Sequence, residues 1–112
     1  MEVQARALID AGAAVALATD FNPGTSPTVN FPLILTLGVS QLRMSASETL
    51  VAATVNGAAA LGLATSVGQL TAGFSADLAI FDVGDFREIP YWYGDRRCKA
   101  TWARGKPCHA RE

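Results

Sequence analysis

The chain has 112 residues, a length that allows one domain at most or part of a larger one. Half of the residues are hydrophobic and 17% are charged, a composition that fits a packed core and excludes an intrinsically disordered chain. The formal net charge of -1 gives no reason to expect a nucleic acid or a membrane as partner, and two cysteines are too few for a disulfide framework, so we expect a cytoplasmic protein.

The first elements alternate between helix and strand. Apolar residues at helical spacing predict a helix over residues 2–11 that ends at Gly12. Residues 13–19 form a nearly continuous run of small apolar residues, which predicts a strand buried on both faces, as in a parallel sheet. A structured loop with two prolines and a glycine follows over residues 20–27.

Helices and then short strands are predicted for the rest of the chain. One helix is expected over residues 28–39. Ser45 or Ser47 could cap the next one, which should continue to about residue 60, and residues 45–48 satisfy the Ser-x-x-Glu capping-box pattern. The remainder predicts short elements, namely a strand over 78–81, one helical turn within 86–93, a strand over 99–104 and a tight turn over 104–107.

Asp20 is the most informative residue, because it stands where the predicted strand ends. Ligands bind at the carboxyl ends of strands in parallel α/β folds, where a carboxylate can bind a metal ion, act as a base, or do both. An aspartate here can also cap the following turn, and the spacing alone slightly favours that role. The loop shifts the balance, because Asn22 offers an amide and Gly24 permits close backbone approach. Thr25 and Ser26 add hydroxyl groups, so the loop could hold a polar ligand.

Other residues with reactive side chains favour structural roles. Cys98 and Cys108, with His109 beside the second, do not have the spacing of a structural zinc site, so we expect free thiols. Asp77 is expected to bond the amides of neighbouring turns.

Several stretches have the spacing of known motifs. Residues 18–26, Ala-Thr-Asp-Phe-Asn-Pro-Gly-Thr-Ser, resemble the eighth-strand motif of the imidazolonepropionase family, a branch of the amidohydrolase superfamily. Residues 54–63 are similar to a late helix of that superfamily. Residues 68–79 resemble its Gly-x-Leu-x-x-Gly-x-x-Ala-Asp-Leu signature, which many amidohydrolases share. Residues 8–12 and 89–94 also resemble imidazolonepropionase segments.

The resemblance implies an α/β fold and a hydrolase. Residues 1–65 would be the end of a (β/α)8 barrel, in the C-terminal part of the enzyme, and residues 66–112 would be strands of a small β-sandwich domain. The enzyme opens the imidazolone ring of 4-imidazolone-5-propanoate to give N-formimidoyl-L-glutamate in histidine degradation. It uses one divalent metal ion, zinc or iron, and the complete enzyme is expected to be a homodimer.

The same resemblance assigns roles to residues of the loop. Asp20 matches the aspartate that contacts the metal ion and moves protons. Asn22, Gly24 and Thr25 match positions that contact the substrate or the product. A carboxylate at the attacking water can take its proton and later deliver a proton to the leaving nitrogen.

The sequence lacks most of a complete catalytic site. The family's other metal ligands are histidines on earlier strands, whereas the one histidine here, His109, matches no ligand position. A catalytic zinc ion has about three protein ligands, and a full barrel has roughly 200 residues or more. We therefore expect the isolated chain to be inactive. It could be a fragment of a longer protein, the product of a frameshifted gene, or a remnant that associates with another subunit.

Two other functions remain open at this point. The chain could belong to another amidohydrolase that acts on a cyclic amide or a deamination substrate, since such enzymes share the later motifs. It could also be a non-catalytic interaction module that folds against a partner through its apolar surface.

Overall fold

The structure, a computed structural model, describes residues 5–110. Its helices precede a small sheet, and none of the helices in this part of the chain is long and apolar enough to cross a membrane. The elements in chain order are α1 (Ala5–Asp10), α2 (Phe31–Ser40), α3 (Ala46–Ala53), α4 (Val55–Ala60), β1 (Leu78–Phe81), α5 (Glu88–Tyr91), β2 (Cys98–Ala103) and β3 (Lys106–Ala110). Helix α1 confirms the helix predicted over 2–11 as far as the described residues reach; residues 2–4 lie outside them.

Side-chain caps set where the two longest helices begin. The Oδ1 atom of Asn30 accepts a hydrogen bond from the amide of Leu33, so α2 begins at Phe31 rather than at residue 28. Helix α3 has the predicted capping box. The Glu48 amide donates to Ser45 Oγ at 3.1 Å, and the Ser45 amide donates to Glu48 Oε1 at 2.8 Å.

The helix expected over 45–60 is divided in two. Thr54 has φ -119° and ψ -81°, outside the helical region, and its amide bonds to the Val51 carbonyl instead of continuing the α-helical pattern. Its hydroxyl also bonds to the Leu50 carbonyl at 2.6 Å. Helix α4 then runs on to a turn in which Gly62 has φ 75°, which confirms the predicted helix end.

Residues 13–19 do not form a hydrogen-bonded strand within the described chain, and the prediction of burial on both faces is wrong for this structure. Exposure alternates along residues 14–19, with Val15, Leu17 and Thr19 half-buried and the three alanines of this stretch exposed. Helical residues provide the hydrogen-bond partners instead of a strand. The Leu17 amide donates to the Ala52 carbonyl at 3.2 Å, and Asn56 Nδ2 donates to the Val15 carbonyl at 2.9 Å. A strand needs a neighbouring strand to complete its ladder, and none pairs with this run in residues 5–110.

The sheet is antiparallel, with strand order β1-β2-β3. Strand β1 confirms the strand predicted at Leu78–Phe81. The tight turn predicted over 104–107 is also confirmed, and in it Arg104 and Gly105 have φ values of 53° and 78°. Asp77 Oδ1 accepts a 2.7 Å hydrogen bond from the Arg104 amide, so the expected structural role of Asp77 is confirmed as well.

The core lies between the run 13–19 and the first helices. Ala5, Met44 and Ala52 are buried together, and half-buried apolar side chains surround them, namely Ile9, Val15, Leu17 and Leu42. An ion pair fastens α1 to this core, because Arg6 bonds both carboxylate oxygens of Glu48 at 2.7 and 2.9 Å.

Candidate functional site

The segment that follows the run 13–19 is a closed loop, which we call the site loop (residues 20–27). A pair of backbone hydrogen bonds closes it. The Asn22 amide donates to the Ser26 carbonyl at 3.0 Å, and the Ser26 amide donates to the Asn22 carbonyl at 3.3 Å. Pro23 and Pro27 restrict the backbone further. These bonds give the segment the structured conformation that the sequence predicted.

The side chain of Asn22 holds the site loop together from inside. Its Nδ2 atom donates to the Asp20 carbonyl at 2.7 Å and lies 3.1 Å from Thr25 Oγ1. Its Oδ1 atom accepts hydrogen bonds from the amides of Gly24, at 2.9 Å, and Thr25, at 2.7 Å. Both ends of the amide are therefore engaged within the loop. A Cβ atom at Gly24 would lie 3.2 Å from Asn22 Oδ1, so the compact turn favours glycine at this position.

Asp20 has a free carboxylate at the start of the site loop. The residue is exposed, and within residues 5–110 no hydrogen bond or ion pair engages its side chain. The turn-capping role that the sequence left open for Asp20 is filled by Asn22 instead. Asp20 has φ 50°, in the left-handed region that aspartate tolerates better than most residues. The carboxylate is thus available to a ligand while its backbone is constrained.

Ser26 is a residue whose part in the loop the sequence did not reveal. The prediction counted it only as a hydroxyl group that could face a ligand. Instead, its Oγ atom donates to the Thr19 carbonyl at 2.6 Å. A short polar residue after a Pro-Gly turn is the available sequence signal, but it does not say which carbonyl lies within reach.

The Asp20 carboxylate is a suitable ligand for a divalent metal ion, since carboxylate oxygens bind such ions, but one side chain is too few to hold the ion. In the part of the chain that the structure describes, no group of three or more His, Cys, Asp or Glu side chains could hold a metal ion. His109 lies in β3 and lines a cavity with Cys98 and Pro27. Both cysteines are free thiols, as predicted.

Comparison with known proteins identifies the family of the chain. Residues 3–108 match the model of the Amidohydrolase family. The chain is 48% identical over 102 residues to an imidazolonepropionase of Geobacillus kaustophilus, covering 91% of this chain and 24% of that protein. It is 44% identical over 109 residues to one of Bacillus velezensis, covering 97% and 26%. The chain thus spans about a quarter of the length of these curated relatives.

Solved structures show the same architecture. An adenosine deaminase from Xanthomonas campestris with bound zinc superimposes with a TM-score of 0.84 at 25% identity, covering 93% of this chain and 27% of that one. An E. coli guanine deaminase gives a TM-score of 0.77 at 22% identity, covering 96% and 29%. The α/β arrangement expected from the sequence is therefore confirmed as part of the amidohydrolase fold.

Proposed function

The chain belongs to the amidohydrolase family, and on that premise we propose that it forms part of an imidazolonepropionase. This enzyme would hydrolyse the cyclic amide of 4-imidazolone-5-propanoate to N-formimidoyl-L-glutamate in histidine degradation. Relatives of that name are 42–52% identical over most of this chain. The observation that carries the proposal is the free carboxylate of Asp20, set at the start of a rigid loop.

Asp20 would be one ligand of a divalent metal ion, zinc or iron. When bound, such an ion supplies a Lewis acid that makes water nucleophilic at neutral pH. The Asp20 carboxylate would accept the proton of the attacking water and pass it to the leaving ring nitrogen. Since a catalytic zinc ion has about three protein ligands, Asp20 needs ligands beyond those that residues 5–110 provide. We therefore expect the 112 residues alone to be inactive.

Substrate contact is proposed for Asn22, Gly24 and Thr25. Gly24 and Thr25 lie on an exposed part of the site loop, but the Gly24 amide and the Thr25 hydroxyl both bond to Asn22, so a small ligand would compete with these bonds. The amide of Asn22 is already engaged within the loop, so a contact between this amide and a ligand would replace one of its present hydrogen bonds.

The same proposal includes a division of the chain between two domains. Residues 1–65 would complete a (β/α)8 barrel, and residues 66–112 would contribute strands to a β-sandwich domain. The similarity to amidohydrolase structures supports the proposal that this chain is part of a larger fold, since it covers 27% and 29% of two of those chains. We also propose a cytoplasmic homodimer for the complete enzyme.

A chimera tests the function directly. This chain would replace the matching 24% of the Geobacillus kaustophilus imidazolonepropionase. We expect the chimera to bind one divalent ion and to consume imidazolonepropanoate. Asp20→Asn should abolish turnover. The control is Asp82→Asn, at an exposed aspartate that follows β1, and it should leave turnover intact.

The chimera also separates the alternatives. A folded, metal-loaded chimera that hydrolyses other cyclic amides but not imidazolonepropanoate would indicate a different amidohydrolase. A folded chimera that binds no metal ion would contradict the enzymatic role of Asp20 and favour a non-catalytic interaction module.

A further inference from the structure

Ser26 ties the site loop back to the residue that precedes Asp20. Its hydroxyl donates to the Thr19 carbonyl at 2.6 Å, a short distance for an O–H···O hydrogen bond. Ser26 is half-buried, so the bond is partly shielded from water and electrostatically stronger than an exposed one.

The backbone of Ser26 bonds to Asn22, two residues after Asp20. Its amide and carbonyl groups both bond to Asn22, and Asn22 Nδ2 in turn bonds to the Asp20 carbonyl. Ser26 thus fixes Thr19 through its side chain and Asn22 through its backbone. Asp20 and Phe21 lie within the ring that these bonds close.

Asp20 depends on such support because of its backbone conformation. A φ of 50° lies in a region that residues with a Cβ atom disfavour, and they persist there only when the surroundings hold them. The value of φ also sets the direction of the Cα–Cβ bond, and with it the direction of the carboxylate. If Thr19 were released, Asp20 could relax toward the extended region and its carboxylate would turn away.

We propose that Ser26 is a positioning residue, whose hydroxyl holds the Asp20 carboxylate in the direction required for its ligand. The sequence alone does not distinguish Ser26 from the neighbouring polar residues. The hydrogen bond from its hydroxyl to the Thr19 carbonyl does distinguish it. The proposal rests on the proposed function in one respect, because it takes a divalent metal ion as that ligand.

The test uses the chimera and three variants. Ser26→Ala removes the hydroxyl, Ser26→Thr keeps it, and Ser66→Ala is the matched control. Ser66 Oγ also donates to a backbone carbonyl, that of Leu63 at 3.3 Å, but it lies outside the site loop. The measured quantity is the dissociation constant of Zn²⁺, from competition with a chelator, together with kcat and KM.

We expect Ser26→Ala to weaken Zn²⁺ binding by roughly 10- to 100-fold, the usual effect of removing a group that orients a metal ligand. KM should change little. The unfolding midpoint of the metal-free chimera should fall only by the effect of one lost hydrogen bond, whereas a purely structural role would lower that midpoint without weakening Zn²⁺ binding by the folded chimera. Ser26→Thr should restore Zn²⁺ binding, and Ser66→Ala should leave it unchanged. In an Asp20→Asn background the effect of Ser26→Ala should disappear, since Ser26 acts through Asp20.

Unchanged Zn²⁺ affinity in a folded Ser26→Ala chimera would overturn the proposal, as would an equal loss in the Asp20→Asn background. Should Ser26→Ala fail to fold, Ser26→Cys takes its place, because a thiol of similar size is a weak donor; unchanged Zn²⁺ affinity in Ser26→Cys would likewise overturn it.

A measurement without metal separates this proposal from the proposed function. In the metal-free chimera, the backbone ¹³C chemical shifts of an isotope-labelled Asp20 report its conformation. Ser26→Ala should move Asp20 out of the left-handed region, and Ser66→Ala should not. If Asp20 keeps its conformation in Ser26→Ala, the positioning role is wrong. If Asp20 moves but the wild-type chimera binds no Zn²⁺, the proposed function has failed and the positioning role stands.

Discussion

Among single residues, Asn22 contributes most to the conformation of the site loop. We expect Asn22→Ala to destabilise the chimera by about 1–3 kcal/mol, because each lost hydrogen bond of this kind contributes about 1 kcal/mol. Asn22→Asp should cost less, since a carboxylate still accepts from the amides of Gly24 and Thr25. Urea unfolding of the two variants measures the difference. Equal stability of Asn22→Ala and the wild type would show that the loop is not held by this side chain.

Glu48 makes the stability of the helical part sensitive to acid. Arg6 and then the Ser45 amide lower its pKa from the usual 4.5 to about 2. The folded state therefore binds fewer protons than the unfolded state between these values. The stabilisation is complete above pH 4.5 and is lost as the pH falls through about 2.

Melting temperatures between pH 7 and pH 2 test this prediction. Glu48→Gln should lower the melting temperature at pH 7 and flatten its decline in acid. Arg6→Leu should have the same effect, and the double variant should lose little more than either single one. An acid profile unchanged by Glu48→Gln would exclude this ion pair as the cause.

At the scale of elements, α2 and α3 approach each other at Gly38. A Cβ atom at this position would lie 2.9 Å from Thr49 Cγ2 and 3.3 Å from Leu17 Cδ1. Gly38→Ala gains up to about 1 kcal/mol of helix propensity but overpacks a buried contact, which costs about 1–3 kcal/mol. We therefore expect a net loss of about 1 kcal/mol.

A double variant checks the cause of that loss. Thr49→Ser removes the methyl group that a Cβ atom at Gly38 would meet and keeps the hydroxyl that bonds to the Ala46 carbonyl. Chemical unfolding of the chimera should therefore show Gly38→Ala to be less harmful in the Thr49→Ser background. If the two substitutions are simply additive, the contact with Thr49 is not the reason for the loss.

Elements set by local chemistry could be predicted from the sequence, and those that need a distant partner could not. The Ser45 capping box, the end at Gly62 and the turn at 104–107 depend on neighbouring residues and were found. The run 13–19 has a strand-like composition, but a strand also requires a neighbour to pair with, and composition does not provide one. In the site loop, the sequence singled out Asp20 because it stands at the end of the apolar run, but it could not show that Ser26 reaches the Thr19 carbonyl, because that contact depends on how the loop closes.

As a whole molecule, the chain exposes an unusual amount of surface. Its accessible area is 7732 Å², whereas folded monomers of this mass expose about 5,900 Å². Many large apolar side chains contribute to the excess, with Leu70 82% and Val29 81% exposed. Apolar surface of this extent drives association between molecules.

We therefore predict that the isolated chain forms oligomers or aggregates, whereas the chimera, whose remaining segments can cover this surface, does not aggregate. Sedimentation velocity at several concentrations measures the difference. Ala16→Lys, which places a charge on the exposed side of the run 13–19, should reduce the association of the isolated chain. Ala59→Lys, at an exposed alanine of α4, should reduce it less, because α4 already packs beside α3 while no strand in the described residues pairs with the run. A monomer with a sharp, reversible two-state melt would contradict the prediction, since it would mean that the exposed apolar surface needs no covering.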